Sequence, residues 1–397
     1  MIRLRGVPAY RRITLSVGLA MFIDSTLYLA VLPLLPRFAE RFDLGTLGVA
    51  LVLVSYPAAT PFISLAAIPL VPRLGPRRIA LASTVLMTLA TVAFALAPNA
   101  AVLIAARFLQ GVASGTVWTS SMSWVTHNAP DDRRGRETGI VMGCLAVGSV
   151  CGPGIGALAA WLGFAPAFLL VAALSAVTVV ITAFAPRGSA PEREADLRAS
   201  MARALRNPLA RAALAMALID PLAFGSVDLL VPLGLGRGGT STFAIAAALT
   251  GGALLGAIAG PLGGRLVDRI GPTRVALPLA CTIALVPIPL AFGPPAWAQL
   301  ALLVVLSPVF AVAASAMFPL GSAGADAAGV AHIVVAGMSG ACWAAGFTVS
   351  PLLAGAIADG LGRGVAFTSA TLLCLPLLGF VVLAARPRAA ASSYARG

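Results

Sequence analysis

LAMFIDSTLY (19–28) and AMALIDPLAF (215–224) lie 196 residues apart and share one layout. Each places an acid, Asp24 or Asp220, about a dozen residues into a long apolar run, and an aromatic, Tyr28 or Phe224, four residues later. The short basic loops repeat at the same offset, PRLGPRRIAL at 72–81 and DRIGPTRVAL at 268–277. An ionisable group at the centre of a bilayer is expensive and marks function by default. A duplicated apolar chain with one such acid in each half is organised like a carrier that rocks one half against the other.

Working outward, 59% of the 397 residues are hydrophobic and only 10% are charged, with a mean hydropathy of +0.97. That composition excludes a soluble globular protein. A helix crosses the hydrocarbon core with roughly 20 apolar residues, and such runs recur along the whole chain. Twelve spans are predicted: 13–36, 47–71, 78–97, 100–124, 137–161, 164–185, 209–235, 241–265, 274–292, 296–320, 329–357 and 365–385. The expected fold is an all-α membrane protein of two pseudo-symmetric six-helix bundles, 1–185 and 208–397. The polar stretch PRGSAPEREADLRASMARALRN (186–207) joins them. Its second part reads either as an amphipathic helix on the membrane surface or as a solvated tether.

The net charge of +13 comes from 27 basic residues, all of them arginine. Twenty-two fall on one side of the predicted spans, four (Arg37, Arg41, Arg237 and Arg363) on the other, and Arg107 within a span. This is the positive-inside bias, so both termini are expected in the cytoplasm and the basicity reports topology, not nucleic-acid binding. The N-terminal run is too long for a signal peptide and contains Asp24, so it reads as a retained span. The all-Arg, Ala-rich composition suggests a GC-rich bacterial genome, hence a multi-pass protein of an inner membrane. Cys144, Cys151, Cys281, Cys342 and Cys374 lie within spans without metal or redox spacing and read as packing residues. His127 and His332 stand at span ends without ligand company. No phosphate loop, nucleophile elbow or triad appears, so no enzyme activity, metal or cofactor is expected, and ATP does not drive the protein directly.

Several motifs bear a family likeness. GSVCGPGIG (148–156) resembles the GxxxGPxxG element on the fifth helix of major facilitator superfamily drug–proton antiporters. RFLQGVASG (107–115) is similar to that family's fourth-helix motif with its buried Arg, and GGRLVDRIGPTR (263–274) to the superfamily loop signature GxxxDRxG. IDSTLYLAVLPLLP (23–36) and LIDPLAFGSVDLLVP (218–232) resemble the first and seventh helices of the multidrug and vesicular amine transporter branch. The resemblance implies gating roles for Gly148, Gly152, Pro153 and Gly156, and for the loop residues Arg73, Gly75, Asp268, Arg269 and Gly271. The chain also departs from the pattern. Pro72 and Ile68 replace the Asp and leading Gly of the first loop copy, and only small residues stand near Ala314 and Gly340, where the amine transporters carry acids. Tyr56 replaces the basic residue of their second helix.

Asp24, Asp220 and Arg107 are the candidates for proton coupling. A guanidinium cannot shed its proton, and Arg107 is expected to pair with Asp24, although carbonyl oxygens are an alternative. Gln110 offers a neutral hydrogen bond nearby. Asp228, two turns beyond Asp220, reads either as a guide for cations or as a solvated group near the outer end. Tyr28, Tyr56, Trp118, Trp124, Phe224, Phe318, Trp343 and Phe347 are aromatics on helices expected to line the centre. Beside carboxylates such rings suit lipophilic cations. The expected activity is proton-coupled export of small lipophilic cationic compounds. The expected partners are the substrate, protons and the bilayer, with the chain acting as a monomer. A carrier of neutral or anionic metabolites and a non-transporting membrane sensor are the competing readings.

Overall fold

The computed structural model describes residues 8–130, 133–189 and 196–385, and all its regular elements there are helices. Twelve are long and apolar enough to cross a membrane, as the sequence predicts. They are α1 (Ala9–Arg41), α2 (Thr46–Leu74), α3 (Pro76–Ala95), α4 (Ala100–Asn128), α5 (Arg134–Leu162), α6 (Phe164–Ala183), α7 (Pro208–Arg237), α8 (Thr242–Ile270), α9 (Pro272–Ala291), α10 (Ala296–Ala328), α11 (His332–Leu361) and α12 (Arg363–Ala385). Arg3, Arg5, Arg193, Arg386, Arg388 and Arg396 lie outside the described residues.

Short turns force neighbouring helices to run antiparallel. One end of the molecule therefore carries the start of α1, the α2–α3 turn and the described parts of the connection, 186–189 and 196–207, here called the linker end. The far end carries the turns after α1, α3, α5, α7, α9 and α11. The two basic loops are true structural repeats. Gly75 and Gly271 adopt φ of +84° and +87°, left-handed values natural to glycine, and their N–H groups cap Val71 and Val267. Proline shapes α1, which tightens into a 3-10 turn at Leu32–Leu34 around Pro33 before resuming at Leu35 and ending at Arg41.

Within each bundle, small residues set the closest approaches. Gly148, Gly152 and Gly156 press α5 onto the backbone of α1 at Phe22, Thr26 and Ala30. Gly252, Gly256 and Gly263 press α8 onto α10 at Leu303, Ser307 and Val312. Gly252, Gly256, Gly260 and Gly264 recur every four residues in the sequence, which points to Gly264 as the last rung. A step of four advances 40° round a helix, however, so the contact passes to Gly263, and no atom of another element lies within 4 Å of a Cβ at Gly264. The bundles meet along α2 against α11 and α5 against α8.

The second part of the linker forms a helix, Leu197–Arg206, capped by the Asp196 side chain on the Ala199 N–H. Ala204, Leu197 and Met201 pack with Leu214 of α7 and Val334 of α11, so this part of the linker is a helix docked on the second bundle and not a solvated tether.

Candidate substrate and coupling site

On α4, residues 107, 110, 114 and 118 recur every three or four positions and so share one face. That face, with α1 and α2, encloses Asp24, which is 5% exposed. The Tyr56 hydroxyl donates to one carboxylate oxygen at 2.5 Å, and Trp118 Nε1 donates to the other at 3.1 Å. Ser114 stands within reach of the same group. The sequence names Tyr56 and Trp118 only as lining aromatics; their role as paired donors to Asp24 follows from the packing.

Arg107 is fully buried, but its partner is not Asp24. Its Nη1 donates to the carbonyl of Leu27 at 3.0 Å and to Gln110 Oε1 at 3.1 Å. The guanidinium lies 4.5 Å from the Tyr56 ring centroid and 5.7 Å from that of Phe94. The expected ion pair is not formed, because the guanidinium bonds Leu27 and Gln110 instead. Tyr56 stands between the two, its hydroxyl on Asp24 and its ring against the guanidinium. The alternative of carbonyl ligation holds instead. Gln110 is engaged on both sides, accepting from Arg107 and donating to Thr91 Oγ1 at 3.1 Å.

Tyr28 stands where the bundles meet. Its ring centroid lies 5.6 Å from Tyr56, 5.9 Å from Trp343 and 5.9 Å from Phe347, and Trp343 and Phe347 stack 4.6 Å apart on α11. Asp220, Asp228 and Arg107 all lie within electrostatic reach of Tyr28. Asp220, Phe224 and Asp228 follow at four-residue steps on α7. Asp220 is 8% exposed, and its Oδ1 is buried without a hydrogen-bond partner. Asp228 is half-buried rather than solvated. Phe224 packs edge-on against Phe310 of α10 at 6.1 Å. The two symmetric acids therefore have opposite surroundings: Asp24 is held by two donors, and one oxygen of Asp220 by none.

Some predicted residues fall elsewhere. Phe318 is 56% exposed and makes no ring contact with this cluster. Trp124 is buried near the linker end, where its Nε1 donates to the carbonyl of Arg187. Gly148, Gly152 and Gly156 join α5 to α1 inside the first bundle, with Pro153 buried beside them. Arg73, Asp268 and Arg269 are exposed and make no hydrogen bond or ion pair with another described residue, while Gly75 and Gly271 shape the turns beside them. His332 pairs with Asp326 at 2.6 Å. Among the described residues no group of His, Cys, Asp and Glu could hold a metal ion. Ser114, Gly111 and Asp359 went unremarked in the sequence. Ser114 was findable from its four-residue step to Gln110 and Trp118. Gly111, whose missing Cβ admits the backbone of Tyr56, was visible only as the glycine after Gln110.

Twelve spanning helices in two bundles, with buried acids where the bundles meet, define a membrane carrier. The chain belongs to the Major Facilitator Superfamily, whose family model matches residues 15–336. It is 35% identical over 103 residues to the multi-drug resistance efflux pump PmrA homolog of Lactococcus lactis, covering 26% of this chain and 25% of that protein. It is 32% identical over 125 residues to the synaptic vesicular amine transporter of Rattus norvegicus, covering 31% of this chain and 24% of that one. The matched stretches span less than half the length of the curated relatives. Its fold is similar to that of a bacterial homolog of the human lysosomal transporter Spinster, solved inward-facing and unoccupied. The TM-score there is 0.74 at 15% identity, covering 96% of this chain and 98% of that one.

Proposed function

We propose that the protein exports small lipophilic organic cations in exchange for protons, by alternating access, as a monomer in a bacterial inner membrane. The arginine bias supports a cytoplasmic location for both termini and the linker, with the proposed bundles at 1–185 and 208–397 around the linker 186–207. The observation that carries the reading is the bare oxygen of Asp220 within electrostatic reach of Tyr28, whose ring packs with Trp343 and Phe347. A buried carboxylate without donors persists as an ion only with a cation at its side. A proton and a substrate ammonium therefore exclude one another at Asp220, which is the condition for antiport. The rings supply cation–π attraction and apolar surface for the rest of the molecule. Asp24, satisfied by Tyr56 and Trp118, acts as a fixed acceptor that positions the tyrosine pair, and Asp228 extends the acidic face along α7.

The test is proton flux in proteoliposomes under an imposed pH gradient with a panel of lipophilic amines. Amine-driven flux is expected in wild type and absent in Asp220→Asn, with Asp24→Asn keeping a weakened flux. Undiminished amine-driven flux in Asp220→Asn would sink the assignment. A second reading, a carrier of neutral or anionic metabolites, draws on Arg107, whose Nε and Nη2 are buried without acceptors. Flux of a carboxylate substrate abolished by Arg107→Gln would favour it.

A further inference from the structure

The far ends of the two bundles are tied together, and the tie centres on one acid that no motif marks. Asp359, near the end of α11, accepts the N–H of Thr46 at 3.2 Å and that of Leu47 at 3.0 Å. Thr46 and Leu47 open α2, in the other bundle. The first N–H groups of a helix have no partner of their own, and the helix dipole favours an anion there. No side chain of the first bundle caps this end, because the N-cap is Gly45. Arg237, ending α7, reinforces the tie by donating to Thr46 Oγ1 at 3.3 Å. Two glycines let the bundles close this far. Gly355 of α11 lies against Leu47 and Ala50 of α2, and Gly236 of α7 against Pro36 of α1. These hydrogen bonds between described residues of the two bundles all lie at the far end.

We propose that Asp359 is the latch of the far-end gate, its carboxylate capping α2 in the closed form and exchanging that cap for arginine partners when the bundles part. The second half of the exchange also has a place in the structure. Asp359, Arg237 and Arg363 line one cavity of about 180 Å³, together with Thr46 and Gly234. Arg363 donates to the carbonyl of Leu230 at 2.9 Å, fixing α12 to α7. Both arginines belong to the same bundle as Asp359. When α2 swings away, its two N–H groups pass to water and the carboxylate, already exposed, turns to Arg237 and Arg363, so it has a charged or N–H partner in both states. This two-partner arrangement makes the contact a switch rather than a bolt. It requires only that the carrier alternate, and holds whatever the substrate or coupling ion.

Spin labels on Glu40→Cys and Phe243→Cys, at the far ends of the two bundles, report the gate by their distance distribution. The background is the full chain with its five native cysteines replaced by alanine, reconstituted without substrate. Wild type is expected to show mainly the short distance. Asp359→Asn keeps the side-chain shape but loses the charge, and is expected to raise the ratio of long to short distances about two- to fivefold, the scale of an exposed charge at a helix N-terminus. Thr46→Pro is the independent variant. Proline is tolerated at the first helical position, and it removes one N–H and the hydroxyl while leaving Asp359 intact. It should open the gate in the same direction. An Asp359→Asn distribution that matches wild type overturns the latch, as does opening in Thr46→Pro alone. Because the readout is distance and not flux, this result stands apart from the fate of the cation-exchange proposal.

Discussion

Tyr56 reaches Asp24 with a hydroxyl and faces Arg107 with its ring, so one side chain serves both buried charges of the first bundle. Tyr56→Phe removes the donor but keeps the ring. A hydrogen bond to a charged group contributes about 1.5–3 kcal/mol, and the variant is expected to lose stability on that scale in thermal unfolding of the purified protein. Arg107→Lys tests the other side of the ring. A lysine ammonium cannot reproduce the planar fork that bonds Leu27 and Gln110 while lying on Tyr56 and Phe94. A loss of about 2 kcal/mol or more is expected, and a variant as stable as wild type would show that stacking is incidental. The sequence exposed which ionisable groups are buried, because an acid or an arginine inside an apolar run is visible by eye. It did not expose who pairs with whom. That depends on the relative depth of α1, α2 and α4, and depth is set by glycine contacts such as Gly111 against Tyr56, which leave no mark at the charged residues themselves.

Along α5 the glycines separate into two kinds. A Cβ at Gly152 would lie 2.8 Å from Leu29 Cβ and 2.9 Å from the carbonyl oxygen of Thr26, whereas a Cβ at Gly154 would meet nothing within 4 Å. Overpacking a close helix contact costs about 1–3 kcal/mol, and here the obstruction is backbone, which cannot rotate away. Gly152→Ala is therefore expected to lower both stability and transport, and Gly154→Ala, two residues on in the same motif, to change stability by less than about 0.5 kcal/mol. Equal losses in the two variants would mean that the motif acts through helix flexibility and not through the α1 contact. Elements were the most legible scale. All twelve spans follow from length and apolarity, because in lipid a helix satisfies its own backbone. The partner of each small-residue ladder was hidden, and so was the drift from Gly264 to Gly263, since spacing gives a face but not the neighbour on it.

At the scale of the whole molecule, the duplication places one acid in each bundle, but the two acids have diverged in surroundings, and the halves are tied differently at their two ends. At the far end the bundles bond directly through Asp359 and Arg237. At the linker end each bundle holds its own piece of the connection. Trp124 Nε1 donates to the carbonyl of Arg187 and Asn128 bonds Ser189, which anchors the first stub to α4. Leu197, Met201 and Ala204 anchor the second stub to α7 and α11. Covalent continuity between these stubs is then dispensable for assembly, because α2 with α11 and α5 with α8 supply the interface. Fragments 1–189 and 190–397, expressed together, are expected to copurify and to retain transport. Adding Asp359→Asn to the second fragment should weaken their association, and Asp220→Asn should not. Copurification that is indifferent to Asp359 would place the holding force in helix packing alone and reduce the latch to a gate that bears no load.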